Sequence, residues 1–129
     1  MYESLDLFQT AQAASRHAGK KQAVAARNIA NADTPGYRAL MLPDFATVWR
    51  DDPAGHMRAT RARHLNGYTS RTHLLDARLA RNTEAAPNGN SVSLETELMV
   101  GVDAGRQHDR AMAVYRSGLT MLRAALGRR

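Results

Sequence analysis

The sequence predicts a mainly α fold: two long terminal helices pairing as an antiparallel coiled coil, with an irregular middle segment that leaves room for some strand. Three observations carry this. The first thirty or so residues are rich in alanine, glutamine, leucine and arginine and hold no proline; the last forty keep an unbroken 4-3 spacing; and residues 35–90 change character, with proline-glycine turns and dense arginine. The expected organisation is therefore residues 1–34 and 91–129 as a helical core and 35–90 as an outer segment.

The composition sets bounds on this fold. A chain of 129 residues suffices for one domain that buries roughly two thirds of its unfolded surface. The apolar fraction is 43% but mean hydropathy is −0.48 and aromatics are few, so much of the apolar content is alanine and the core is thin. The absence of cysteine excludes a disulfide framework, a thiol nucleophile and cysteine-ligated zinc. Glu3 and Asp6, with no continuous apolar stretch behind them, argue against a cleaved secretory signal. No stretch approaches the roughly 18 apolar residues of a membrane span. The formal charge of +6 comes almost wholly from arginine, since lysine occurs only at Lys20 and Lys21.

The first helix is expected from about Ser4 to Ala32, capped by Ser4 with Asp6 in its positive first turn. Two rows recur at seven-residue spacing: Phe8, Ser15, Gln22, Ile29, and Ala11, Ala18, Ala25, Ala32. Their small side chains let a partner helix approach closely. The last helix shows Leu94, Leu98, Gly101, Gly105, His108, Met112, Tyr115, Leu119, Leu122 and Leu126 in 4-3-4-3 order, a coiled-coil seam. Ser93 is its expected cap, and Gly127 its stop. Gly101 and Gly105 each cost about 1 kcal/mol relative to alanine, so a bend or an unusually close neighbour is expected there.

Helices of this length run some 45 Å, whereas a compact chain of this size has a radius of gyration near 14 Å. The geometry suggests an elongated helix pair whose narrow stripes are fully covered only by other subunits. Isolated copies are accordingly expected to be only partly ordered. The assembly seam is assigned to Phe8, Ala11, Ala18, Ala25, Ile29, Leu94, Leu98, Met112, Tyr115, Leu119, Leu122 and Leu126.

In the middle, Asp44 to Arg50 can form a short helix presenting Phe45, Val48 and Trp49, followed by a turn at Asp51-Asp52-Pro53-Ala54-Gly55. His56 to Arg81 holds six arginines and three histidines against one acid, Asp76. Arg58, Arg61, Arg63 and His64 are its candidates for polar contacts between subunits. Thr83 to Asn90 reads as a loop.

The most specific string is Asn28-Ile29-Ala30-Asn31-Ala32-Asp33-Thr34-Pro35-Gly36-Tyr37. Pro35 forbids continuation of the helix and disfavours helical backbone at Thr34, and Pro-Gly supplies the negative and then positive φ of a type II turn. Asn28 and Asn31, three apart, share a face on which their amides can satisfy the last helical carbonyls or cross to a neighbouring chain. Tyr37 then projects its ring from the exit strand. By themselves these residues describe a well-made helix stop.

The decapeptide closely resembles the signature of bacterial flagellar rod and hook proteins, in which an N-terminal helix ends in Asn-Ile-Ala-Asn-x-x-Thr-Pro-Gly-Tyr. Two further strings are similar to segments of the proximal rod members of that family. Thr60-Arg61-Ala62-Arg63-His64-Leu65 resembles Thr-x-Pro-x-His-hydrophobic, with Ala62 where proline is usual. Asn88-Gly89-Asn90-Ser91-Val92-Ser93-Leu94-Glu95 resembles Gly-Asn-x-Val-Asp-Leu-(Asp/Glu) before the last helix, with Ser93 where an acidic cap is common. The short chain, without a large inserted domain, also looks like the proximal type. The resemblance implies a structural subunit, not an enzyme, without cofactor. It implies packing of both terminal helices into a hollow tube in the basal body. The implied partners are copies of itself, other rod proteins, a basal adaptor, membrane-ring proteins and the flagellar type III export apparatus.

A different class of function is a basic helical nucleic-acid-binding protein, because arginine arrays bind phosphates bidentately. Only Tyr68 in that stretch could stack a base, and no recognised motif is present. Salt-dependent retention of DNA separates this alternative from an assembly subunit, and no nucleic acid is the expectation. His56, His64 and His73 lack the short spacing of a helical zinc site, and adjacent Asp51 and Asp52 point apart in extended chain. No catalytic, cofactor or metal constellation is read from the sequence.

Overall fold

A computed structural model describes residues 2–50, 75–80 and 84–127. Helix α1 spans Tyr2–Ala30, strand β1 Leu40–Met41, helix α2 Phe45–Arg50, strand β2 Arg78–Leu79 and helix α3 Leu94–Ala125. The fold is mainly helical, with two long terminal helices packed against each other and short strands between them in sequence. Strands β1 and β2 pair antiparallel, Leu40 opposite Leu79 and Met41 opposite Arg78.

The two long helices run antiparallel. Near one end, Phe8 of α1 meets Tyr115 of α3 edge-on, with ring centroids 5.2 Å apart. Near the other, Lys21, Val24 and Ala25 share a cleft with Glu97 and Val100. On α1 the buried row is Ala11, Ala18 and Ala25; on α3 it is Ala104, Ala111 and Gly118, again seven apart. The contact is thus centred on small residues of both helices, and on α3 it lies one position before Gly105, Met112 and Leu119 of the 4-3 series. Small side chains let the two backbones come close, a gain that an aligned leucine row would forfeit. Met112, Tyr115 and Leu119 flank this row half-buried, while Leu94, Leu98, Leu122 and Leu126 remain exposed, Leu98 at 53% and Leu126 at 85%.

Three local expectations are corrected. Helix α1 already includes Tyr2, so Ser4 lies inside the helix and is not its cap. Ser93 has the extended backbone of a cap residue (φ −100°, ψ 110°), but its hydroxyl accepts the Thr96 Oγ1 proton at 3.0 Å and caps no backbone N–H. Helix α3 continues through Gly101 and Gly105, and a Cβ at either would meet nothing within 4 Å. The glycine that does serve close approach is Gly118, where a Cβ would come within 3.1 Å of the Phe8 ring and 3.3 Å of Leu7. Gly127, with φ +82°, stands just past the end of α3 as anticipated.

Candidate functional site

The residues with the densest polar bonding lie where α1 ends, the chain leaves for β1, and the loop before α3 returns. After Ala30 the helix tightens: Asn31 N–H bonds Asn28 O at 3.0 Å and Ala32 N–H bonds Ile29 O at 3.1 Å. Asn31 Nδ2 donates to Arg27 O at 2.8 Å, satisfying one of the last helical carbonyls. The chain then reverses, Tyr37 N–H reaching Thr34 O at 3.3 Å with Gly36 at φ +72°, the geometry that Pro35-Gly36 favours.

Asn28 is fully buried. Its Nδ2 donates to Leu40 O at 2.7 Å, and its Oδ1 accepts both Leu40 N–H and the Tyr37 hydroxyl at 3.1 Å. A carboxamide has the same donor and acceptor pair as a peptide group, so Asn28 acts as a one-residue strand neighbour for β1. Neighbouring Ala39 O accepts Ala80 N–H from the β2 side at 2.9 Å, which leaves Asn28 the opposite edge. Tyr37 folds its hydroxyl back onto α1 instead of projecting away.

Asn90 makes the second clasp. Its Nδ2 lies 2.9, 2.7 and 2.8 Å from the carbonyls of Asn31, Ala32 and Thr34, so two protons are shared among three acceptors; its Oδ1 accepts Val92 N–H at 2.8 Å. Ser91 joins the same knot, with N–H to Tyr37 O at 3.1 Å and Oγ accepting Ala39 N–H at 2.9 Å. Gly36 N–H donates to Asn88 O at 3.0 Å. Gly89, at φ +79°, brings its Cα so near that a Cβ would stand 3.4 Å from Gly36 Cα. Residues more than fifty apart in sequence thereby lock the end of α1 to the start of α3.

About three turns back along α1 from Asn28, His17 is buried and its Nε2 donates to Pro43 O at 2.8 Å. Pro43 O can only accept, so the Nε2 proton is required and Nδ1 carries the lone pair, with no hydrogen-bond partner. Burial pushes the imidazole below its ordinary pKa; the Pro43 carbonyl opposes this, Lys21 adds to it and Asp44 offsets it. Lys21 and Asp44 themselves pair at 3.3 Å. Phe45 of α2 sits edge-on to the His17 ring, centroids 5.6 Å apart, with Trp49 beyond it at 5.2 Å.

The structure therefore brings Asn28, Asn31, Thr34, Pro35, Gly36 and Tyr37 into one junction, with Ile29 half-buried and Ala30 exposed on α1 just before it. The seam residues lie along the helix pair, Ile29 and Leu94 next to this knot in sequence and the others farther along α1 and α3. Arg58, Arg61, Arg63 and His64, and the turn at Asp51-Asp52-Pro53, fall outside the described residues. The sequence alone points to no role for Asn90, Ser91 or His17. Asn90 lies within the Gly-Asn string before α3, but its three carbonyl partners are set by tertiary structure. His17 belongs to a heptad row, Thr10, His17 and Val24, half-buried or buried throughout, which is a signal that could have found it.

Among the described residues no group of three or more histidine, cysteine or acidic side chains could hold a metal ion. None of the described helices is long and apolar enough to cross a membrane. The arrangement orders backbone and presents helix faces. No curated protein matches the chain. Residues 8–38, which run from the Phe8 contact through α1 and the whole Thr34-Pro35-Gly36-Tyr37 turn, match the family model described as flagella basal body rod protein.

Proposed function

We propose that this chain is a structural subunit of the flagellar basal-body rod, of the proximal type represented by FlgB. Its terminal helices pack with those of other axial proteins into a hollow shaft through the periplasm. The observation that carries this reading is that the matched segment, residues 8–38, is also the one whose Asn28 and Thr34-Pro35-Gly36-Tyr37 turn organise the junction between the long helices. A role in assembly agrees with the exposed Leu94, Leu98, Leu122 and Leu126. In this reading copies of the chain meet one another, the next rod proteins, and a basal adaptor and membrane-ring proteins, after delivery by the flagellar type III export apparatus. The chain performs no chemistry and binds no cofactor.

The test is removal of the gene. Loss of motility with basal bodies that lack the proximal rod, both restored by the intact gene, is the expected result. Complete rods in the deleted strain overturn the proposal.

A further inference from the structure

Beside the helix seam lies an open, mostly apolar groove of about 600 Å³, walled by Leu7 and Ala11 of α1, Phe45 of α2, and Ala111 and Val114 of α3; its charged lining residues are Arg110 and Asp44, the latter already paired with Lys21. At the other end of α3, Leu94, Leu98 and Val102 recur at four-residue spacing and are 49%, 53% and 57% exposed, with Met99 beside them. Successive side chains at this spacing form a ridge along one helix face. The groove is thus concave and apolar, and the ridge convex and apolar, on separate parts of one chain.

Charge points to the same match. Glu95 stands next to the ridge in the first turn of α3, and Arg110 stands at the groove. Among the described residues neither forms an ion pair within its own chain. We infer that the groove receives the Leu94–Leu98–Val102 ridge of a second copy, with Glu95 of that copy brought to Arg110. The two patches do not overlap, so each copy offers both a ridge and a groove. Such a head-to-tail contact does not close on a dimer; it propagates into a ring or an open helix according to its rotation. This inference rests on the rod-subunit reading and specifies how neighbouring copies meet within it.

Because ridge and groove are separate, each can be removed without the other. Val114→Asp puts a charge in the groove and leaves the ridge; Leu98→Asp does the reverse. Both positions are exposed at 45% and 53%, and circular dichroism of each variant checks that helix content is unchanged. Sedimentation velocity of the full chain over a concentration series is expected to show the parent associating into species larger than dimers. Each variant alone should remain monomeric. An equimolar mixture of the two should form a dimer and nothing larger, since one intact ridge meets one intact groove and the outer ends are blocked. A mixture that stays monomeric, or either variant associating like the parent, overturns the inference. A parent chain that stays monomeric does so too. The outcome is separate from gene deletion: loss of the rod on deletion, with a variant mixture that stays monomeric, keeps the rod subunit and discards this contact.

Discussion

The Asn28 carboxamide holds both backbone polar groups of Leu40, donating to its carbonyl at 2.7 Å and accepting its N–H at 3.1 Å. A side chain twelve residues earlier thus stands where an adjacent strand would be, and the Tyr37 hydroxyl shares the same oxygen. Replacing Asn28 leaves three polar groups short of a partner at a buried position. Each costs about 1–3 kcal/mol when it stays unsatisfied, partly relieved by water. Asn28→Ala should therefore lower stability by roughly 2–4 kcal/mol, read from thermal or urea unfolding followed by circular dichroism. Tyr37→Phe, which removes only one donor, should cost about 1 kcal/mol. Equal effects of the two would contradict the strand-mimic role.

Asn90 and Gly89 fasten the other side of the junction. Gly89→Ala must place a Cβ at φ +79° and 3.4 Å from Gly36 Cα, so a loss of about 1–2 kcal/mol is expected. Asn90→Ala frees three carbonyls at the negative end of α1. Hydrogen exchange should then quicken first at the amides of Asn31, Ala32 and Thr34, ahead of the middle of α1. Uniform acceleration along the whole helix would instead mean that the clasp is no separate unit.

The glycines of α3 divide by what surrounds them. Gly105→Ala adds a methyl into open space and should stabilise the helix by about 1 kcal/mol. Gly118→Val drives side-chain atoms into Phe8 and Leu7, with a net loss of about 1–3 kcal/mol. In a Phe8→Ala background that loss should shrink markedly, because the ring it strikes is gone; an unchanged loss would place the strain elsewhere.

Acid should loosen the contact between α1 and α2. Burial holds the folded-state pKa of His17 below its ordinary 6.5, so the unfolded chain takes up the proton first. The stabilising contribution is present above pH 6.5 and is lost as the pH falls from there through the lowered folded value. Protonation would add an N–H at Nδ1, which has no acceptor, while Nε2 keeps its bond to Pro43 O. His17→Gln can retain a donor toward Pro43 without titrating. The difference in stability between the parent chain and this variant should fall on acidification below pH 6.5. A flat difference between pH 7 and 5 would contradict the burial of a neutral ring.

Much of this architecture is legible in the sequence. Helix-favouring composition and heptad rows indicate α1 and α3, since local propensity and packing agree there. Pro35-Gly36 marks the turn because ring closure and a free positive φ act on one or two residues alone. The seam of α3 is harder to read. The leucines are its strongest apolar signal, yet α1 packs on Ala104, Ala111 and Gly118, because an alanine-lined α1 gains more from backbone approach than from large knobs. Gly101 and Gly105 suggest strain by propensity, but only neighbours in space decide which glycine is needed, and those lie around Gly118. The clasp of Asn90 on Asn31, Ala32 and Thr34 joins residues 56–59 apart, a distance over which no local rule acts. His17 is hidden for a related reason: its value lies in Pro43 O and Phe45, which reach it only after the chain has turned back.

Cryo-electron microscopy of intact basal bodies tests the central claim most directly, asking where density for this chain lies and what covers Leu94 and Leu98. The account predicts the antiparallel pair α1 and α3 within the proximal rod, turned at Pro35-Gly36, with both leucines enclosed by a neighbouring copy. A rod whose density is fully explained by other proteins, or a copy of this chain whose leucines face solvent, would contradict it.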